Sequence, residues 1–303
     1  MAGFYRGDME LDEPLVLDGG LGTQLEARGG DLSGDLWSAQ FLASAPEEIV
    51  AAHEAFFAAG ADIVTTASYQ AGFAGFAAHG FDREHAAGLM RRSVELAKRA
   101  AQRDAGKRRL VAASVGPYGA VLADGSEFRG RYGLSHRELV GFHRPRLEVL
   151  AEAGPDLLAL ETVPDVDEAA ALLEVLGDVD VPAWLSYNID GERTRAGQPL
   201  EEAFAVAAGR DDVLAVGINC CTPADATRAV PIAREMTGKP VVVYPNSGEG
   251  WNAGRQDWTG PSRFDAALVR DWVAAGARIV GGCCRVAPAD INAVANVLAR
   301  PRD

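Results

Sequence analysis

The sequence lacks any run of about 18 apolar residues of the kind that spans a bilayer, and its opening stretch, "MAGFYRGDMELDEP", is polar and acidic rather than a basic region followed by an apolar one. A membrane span and a secretory leader are therefore not expected, and the reading is of a soluble, cytoplasmic protein. Basic charge is also scarce: 29 Lys and Arg stand against 43 Asp and Glu, a formal charge of -14. That balance argues against nucleic acid as a partner, because phosphate binding wants a basic face. The densest basic stretch, "RRSVELAKRAAQRDAGKRR" (91–109), has helical spacing and reads as a solvated helix face. Cysteine is rare as well, with four in 303 residues. In a reducing compartment such thiols are free or metal-bound rather than paired. There is, finally, no linker-like tract, and the 48% hydrophobic content suits one large core.

Present instead is a repeated alternation of short apolar runs with amphipathic segments. The expected strands are "LVLDGG" (15–20), "DIVTTAS" (62–68), "RLVAASVG" (109–116), "LLALET" (157–162), "AWLSYNI" (183–189), "VLAVGINC" (213–220), "PVVVYPN" (240–246) and "RIVGGCC" (278–284). Helical segments such as "PEEIVAAHEAFFAAG", "HRELVGFHRPRLEVLAEAG", "DVDEAAALLEVLG" and "ADINAVANVLAR" fill the gaps, and Pro145 inside the second predicts a kink. "AAGADIVTTAS", "EAGPDLLALET" and "AAGARIVGGCC" share one grammar, a helix ending on Ala-Gly just before a strand. Eight such βα units predict an α/β fold, a single (β/α)8 TIM barrel spanning 1–303 with 1–12 as a peripheral segment. A dinucleotide-binding sheet fits less well, since "DGGLGTQLEARGG" lacks the full G-x-G-x-x-G context. Long connections after three strands, at 19–45, 117–134 and 245–263, place the working end at the C-terminal mouth.

On this scheme the rim carries Asp18-Gly19-Gly20, Ser68-Tyr69-Gln70, Gly116-Pro117, Glu161-Thr162, Asn188, Asn219-Cys220-Cys221, Pro245-Asn246 and Cys283-Cys284. All four cysteines converge there. Strands six and eight flank one strand, so their ends lie roughly 10 Å apart and inward side chains can meet. Two adjacent thiols admit three explanations: a vicinal disulfide, inert core residues, or thiolates on a metal. Two Cys-Cys pairs at two strand ends favour the metal, and sulfur ligands suit zinc, whose fourth position stays open when three are filled by protein. The five histidines, at 53, 79, 85, 136 and 143, fall away from the strand ends and read as helix or loop residues.

"GGCC" (281–284), "INC" (218–220), "DGGLGTQLE" (18–26) and "ALETVPDVDEA" (159–169), with "TTASYQA", "DGSEFRG" and "YPNSGE", resemble the homocysteine S-methyltransferases over nearly the whole chain, from about residue 12 to 300. The resemblance implies a barrel that binds Zn2+ through Cys220, Cys283 and Cys284, with the homocysteine sulfur as a further ligand. It implies that Asp18 and Glu161 hold the substrate ammonium and that backbone amides around Gly19, Gly20 and Ser68 hold its carboxylate. Tyr69, Asn219 and Asn246 complete the candidate substrate contacts. Cys221 departs from the family's single cysteine after asparagine and receives no ligand role. The expected partners are small molecules only, homocysteine and a methyl-sulfonium donor, with S-methylmethionine ahead of S-adenosylmethionine.

An alkyl thiol with a pKa near 8.5 is mostly protonated at neutral pH, and a zinc ion would ionise it. A sulfonium is the best leaving arrangement available without a cofactor, and Tyr69, Trp37, Tyr244, Trp251 and Trp258 sit on or beside the expected mouth loops to face such a cation. Two carboxylates could also serve glycoside hydrolysis, which has no use for the thiols. A selenocysteine methyltransferase of the same family, or a zinc-binding barrel without catalysis, remains open. The two glycines of "GGCC" are expected to let adjacent cysteines, which a regular strand sends to opposite faces, turn toward one metal.

Overall fold

A computed structural model describes residues 11–103, 106–252 and 257–299, with the side chains at 251–258 outside that description. The first ten residues of the segment expected to be peripheral also lie outside it. Eight parallel strands form one sheet: β1 (Leu15–Val16), β2 (Ile63–Thr65), β3 (Leu110–Val115), β4 (Leu157–Val163), β5 (Ala183–Tyr187), β6 (Val213–Asn219), β7 (Val241–Tyr244) and β8 (Ala277–Val280). Neighbours follow chain order, β8 returns to β1, and a bridge between Leu17 and Ile63 joins β1 to β2. The sheet is thus a closed (β/α)8 barrel, as expected.

Each strand is followed by an outer helix: α1 (Pro46–Ala58), α2 (Arg83–Arg103), α3 (His136–Glu152), α4 (Val166–Leu176), α5 (Leu200–Ala205), α6 (Pro223–Thr237), α7 (Leu268–Ala274) and α8 (Pro288–Ala299). Local signals place their ends. Ser135 and Glu138 form a capping box at α3, and Thr222 caps α6 by accepting from the Asp225 amide. Gly60, Gly154 and Gly276, which close the three echoed Ala-Gly segments, all have positive φ, the left-handed turn that glycine adopts without strain. The helix α3 continues through Pro145 as one element rather than breaking there. The basic stretch on α2 is a solvated face, with Arg99 on Glu47 and Arg103 on Glu54 of α1.

Two apolar layers result. Leu17, Ile63, Ala112, Ala159, Trp184, Ala215, Val242 and Ile279 fill the barrel interior, and a larger shell packs the outward strand faces against the helices. The three long connections hold structure of their own: short helical segments in the first two and a hairpin, Gly250–Asn252 with Asp257–Thr259, in the third. A fourth insertion escaped the sequence reading, a two-rung hairpin of Ile189–Asp190 and Arg193–Thr194 directly after β5.

The seam between β1 and β2 is the barrel's thinnest join. Asp62 closes it, accepting from the Val16 amide at 3.0 Å while its own amide donates to the Val16 carbonyl at 2.7 Å. Asp62→Ala should cost about 1–2 kcal/mol through the unpaired Val16 amide, and Asp62→Asn, which keeps an acceptor, should cost less. A urea midpoint unchanged in Asp62→Ala would show that this seam does not limit stability.

Candidate metal and substrate site

The sheet ends before the cysteines begin. The eighth strand was expected to run to Cys284 but stops at Val280; beyond it Gly281 packs against Leu17 and Asp18, and Gly282 against the Val286 side chain. A Cβ on Gly281 would sit 2.6 Å from the Asp18 carbonyl oxygen, and one on Gly20 would sit 2.7 Å from the Cys283 carbonyl oxygen. Gly281 and Gly20 therefore make a close backbone contact between "DGG" and "GGCC", a task beyond the expected one of letting the two cysteines turn together. Hydrogen bonds fix the resulting turn: Cys283 N–H donates to the Pro245 carbonyl at 2.8 Å and Cys284 N–H to Asn246 Oδ1 at 3.1 Å.

The other thiol arrives by a different device. Cys220, just past β6, has φ +54°, a left-handed conformation costly for a residue with a Cβ. Thr162, just past Glu161 on β4, shares that conformation at φ +60°. Asn219 ties the two together. Its Oδ1 accepts from the Thr162 amide at 2.8 Å and from Ser186 Oγ at 2.7 Å, and its Nδ2 donates to Thr162 Oγ1 at 2.7 Å.

The Sγ atoms of Cys220, Cys283 and Cys284 consequently lie within 4.8 Å of one another, with Cys220 to Cys284 at 3.9 Å and Cys283 to Cys284 at 4.0 Å. Tetrahedral zinc with sulfur at about 2.3 Å places its ligands about 3.8 Å apart, so the trio fits such an ion. Cys221 points away into the shell between strands and helices, where burial pushes its thiol up to about 12. The thiols of the trio resist ionisation. For Cys220 the contact with Cys283 favours the thiolate, but the contact with Cys284 and burial outweigh it, and its pKa rises well above the ordinary value. Cys283 is raised first by its contact with Cys220. Crowded thiolates need a cation to coexist.

Beneath the trio lies a buried polar floor. Glu161 accepts from Ser114 Oγ and, at 3.0 Å, from the Tyr244 hydroxyl, which is also held by Trp184 Nε1 at 3.0 Å and Ser186 Oγ at 2.8 Å. Asp18 accepts from the Thr65 amide at 2.8 Å. Burial raises the pKa of both carboxyls, and for Asp18 the charge of Glu161 adds to the rise. No histidine joins them: His53 is fully buried in α1, neutral with its pKa lowered by burial to about 4, and His143 pairs with Glu168 at 2.9 Å.

Several rim residues have structural tasks. Asn219 is wholly engaged as above, Asn246 orients Cys284, the Gly20 amide donates to the Val286 carbonyl at 3.0 Å, and the Ser68 hydroxyl to the Ser114 carbonyl at 2.7 Å. Gly19 abuts the Val286 carbonyl. Tyr244 lies below the rim, in the barrel interior, rather than on a mouth loop. Trp37, half-buried, packs over Gly22, while Tyr69 is half-buried at the rim with its ring against Gly116. Trp251 and Trp258 have side chains outside the described residues.

Sequence reading missed Ser114, Ser186, Thr65 and Arg146, since isolated hydroxyls on strands carry no motif. Arg146 on α3 is buried and donates to the carbonyls of Gly116 at 2.9 Å and Tyr69 at 3.1 Å, so it holds two rim segments from behind. Burial lowers it to about 10, still protonated at neutral pH.

A closed barrel whose mouth brings three thiols together above two buried carboxylates has the makings of a thiol-rich metal site. The family model for homocysteine S-methyltransferase matches residues 15–298, and the chain belongs to that family. It is 45% identical to the maize homocysteine S-methyltransferase 4 over 319 residues, covering 98% of this chain and 93% of that protein. The metallated homocysteine methyltransferase of Escherichia coli superposes with a TM-score of 0.85 at 44% identity, over 94% of this chain and 96% of that one. A selenocysteine Se-methyltransferase from Brassica oleracea var. italica is 42% identical over 92% of this chain and 87% of its own length. No described helix is long and apolar enough to cross a membrane.

After reconstitution with zinc, Cys220→Ser or Cys284→Ser should strip most of the metal and Cys221→Ser should keep it. Metal analysis showing equal loss in all three would remove the distinction drawn here. The raised carboxyls give a second expectation. A group with a folded pKa above its unfolded value, about 3.9 for Asp, stabilises fully below the unfolded value and loses that contribution as pH rises through the folded one. Metal-free Asp18→Asn should therefore gain stability relative to wild type as the pH rises above about 4, the unfolded value; denaturation midpoints that run parallel as the pH rises would contradict it.

Proposed function

We propose that the whole chain acts as one homocysteine-binding barrel that moves a methyl group from S-methylmethionine, or less readily S-adenosylmethionine, to the thiol of homocysteine, and that the metal is zinc. The observation that carries the reading is the meeting of three sulfurs beside two buried carboxylates at one barrel mouth. In the reaction the sulfonium–methyl bond breaks as the new sulfur–methyl bond forms, the electron pair leaves with a neutral thioether, and the thiol proton passes to solvent. A zinc ion held by Cys220, Cys283 and Cys284 would supply the positive charge that keeps the substrate thiol ionised at neutral pH.

The chain's own groups do the rest. Asp18 and Glu161 offer a paired negative site for an α-ammonium, whose charge would offset the burial that raises their pKa values. The Tyr244 hydroxyl and Ser114 fix the Glu161 carboxylate in one orientation before substrate arrives. Asn219 holds the strained backbones at Thr162 and Cys220, so substrate and metal sites keep one mutual geometry. The Brassica relative favours one second reading, methyl transfer to a selenol by the same groups.

Purified zinc-loaded protein with homocysteine and each donor in turn should form methionine fastest with S-methylmethionine, and selenocysteine as acceptor separates the second reading. No methylated product from any pairing would overturn the proposal. Glu161→Gln should raise the KM for homocysteine about tenfold to a hundredfold, as expected when a buried charged hydrogen bond is lost, and retain its zinc.

A further inference from the structure

Asn188 stands at the end of β5, one residue past Tyr187, and is fully buried. Along this strand Trp184 and Ser186 face the barrel interior, where both touch the Tyr244 hydroxyl, while Leu185 and Tyr187 face the helices. Alternation therefore aims Asn188 into the mouth, one layer above the polar floor. Tyr187 pairs in register with Ile218, so Asn188 lies level with Asn219, one strand away from the residue that precedes Cys220. Its Nδ2 has no hydrogen-bond partner, unlike the Nδ2 of Asn219. Buried donors left unpaired are costly and call for a ligand.

The missed hairpin supplies a charge at the same spot. Arg195, just past it, folds back so that its Nε donates to Asn188 Oδ1 at 2.9 Å and its amide to the Asn188 carbonyl at 3.2 Å. That contact fixes the amide orientation with Nδ2 turned away from the guanidinium's Nε. The Arg195 side chain is 30% exposed, and its one ion pair among the described residues, Nη1 to Asp190 at 3.9 Å, involves a carboxylate 81% exposed. Such a surface pair is weak, which leaves the guanidinium able to take a better-placed anion.

We infer that Asn188 and Arg195 form a carboxylate subsite that selects amino-acid methyl donors by their α-carboxylate. The inference rests on the methyl-transfer reading and deepens it. Homocysteine's ammonium is assigned to Asp18 and Glu161, so the positive rim at the β5 hairpin serves the second amino acid. A donor sulfonium at the thiol trio then has its own carboxylate anchored one strand away from Cys220. The fourth insertion is, on this account, a donor-selecting loop.

The test compares S-methylmethionine with its carboxamide, in which the anion alone is removed. Calorimetric binding to the zinc-loaded protein should favour the carboxylate by about tenfold or more, the range of one charged hydrogen bond. Arg195→Gln, at a partly exposed site that tolerates change, and Asn188→Ala should each reduce that preference toward unity. The KM for homocysteine should stay unchanged in Arg195→Gln. A preference retained in both variants, no preference in wild type, or a rise confined to the homocysteine KM would each overturn the inference. Because binding is read without turnover, failure of methyl transfer in wild type strikes the proposed function alone.

Discussion

The barrel mouth is organised around one electrostatic constraint: three sulfurs within 4.8 Å of one another, one buried and two half-buried, cannot all be ionised without a cation among them. The surrounding backbone is arranged to hold them there regardless. Cys220 takes a left-handed conformation, Asn219 braces it against Thr162, and the glycines of two turns abut so that Cys283 and Cys284 leave the eighth strand together. Each device has a local cost in strain or lost side chain. The hydrogen bonds of Asn219 to Thr162 and Ser186 offset part of that cost.

The same logic extends downward. Burial raises Asp18 and Glu161, and the charge of Glu161 adds to the rise at Asp18, so two negative charges are disfavoured there and an ammonium would favour them. The mouth thus has two sites side by side whose ionised forms call for a cation, a thiol trio suited to a metal and a carboxyl pair suited to an amine. A bifunctional thiol-amine such as homocysteine satisfies both at once, consistent with the family to which the chain belongs. Preorganisation comes from fully satisfied hydroxyls on the barrel floor.

The barrel was legible in the sequence because its βα units repeat and its Ala-Gly helix ends recur; all eight strands fall where the apolar runs place them. Except on β4, which runs one residue further than expected, their C-terminal ends were read too long, since apolar patterning continues into "GGCC" while hydrogen bonding does not. The thiols were visible as pairs of one rare residue, but which member of Cys220-Cys221 turns inward depends on the conformation at Cys220 that no composition encodes. Asn219 and Tyr244 fall on the strands expected, but their bonds to Thr162, Ser186 and Glu161 were not legible, because a strand-end asparagine looks alike whether it binds a ligand or a backbone. Ser114, Ser186, Arg146 and the hairpin after β5 acquire meaning only through partners distant in sequence.

The most direct test is X-ray absorption at the zinc edge of the reconstituted protein, before and after homocysteine. The account predicts a shell with three sulfur ligands that becomes four on adding homocysteine, with no imidazole contribution in either state. A nitrogen- or oxygen-dominated shell, or a sulfur count that homocysteine leaves unchanged, would contradict it.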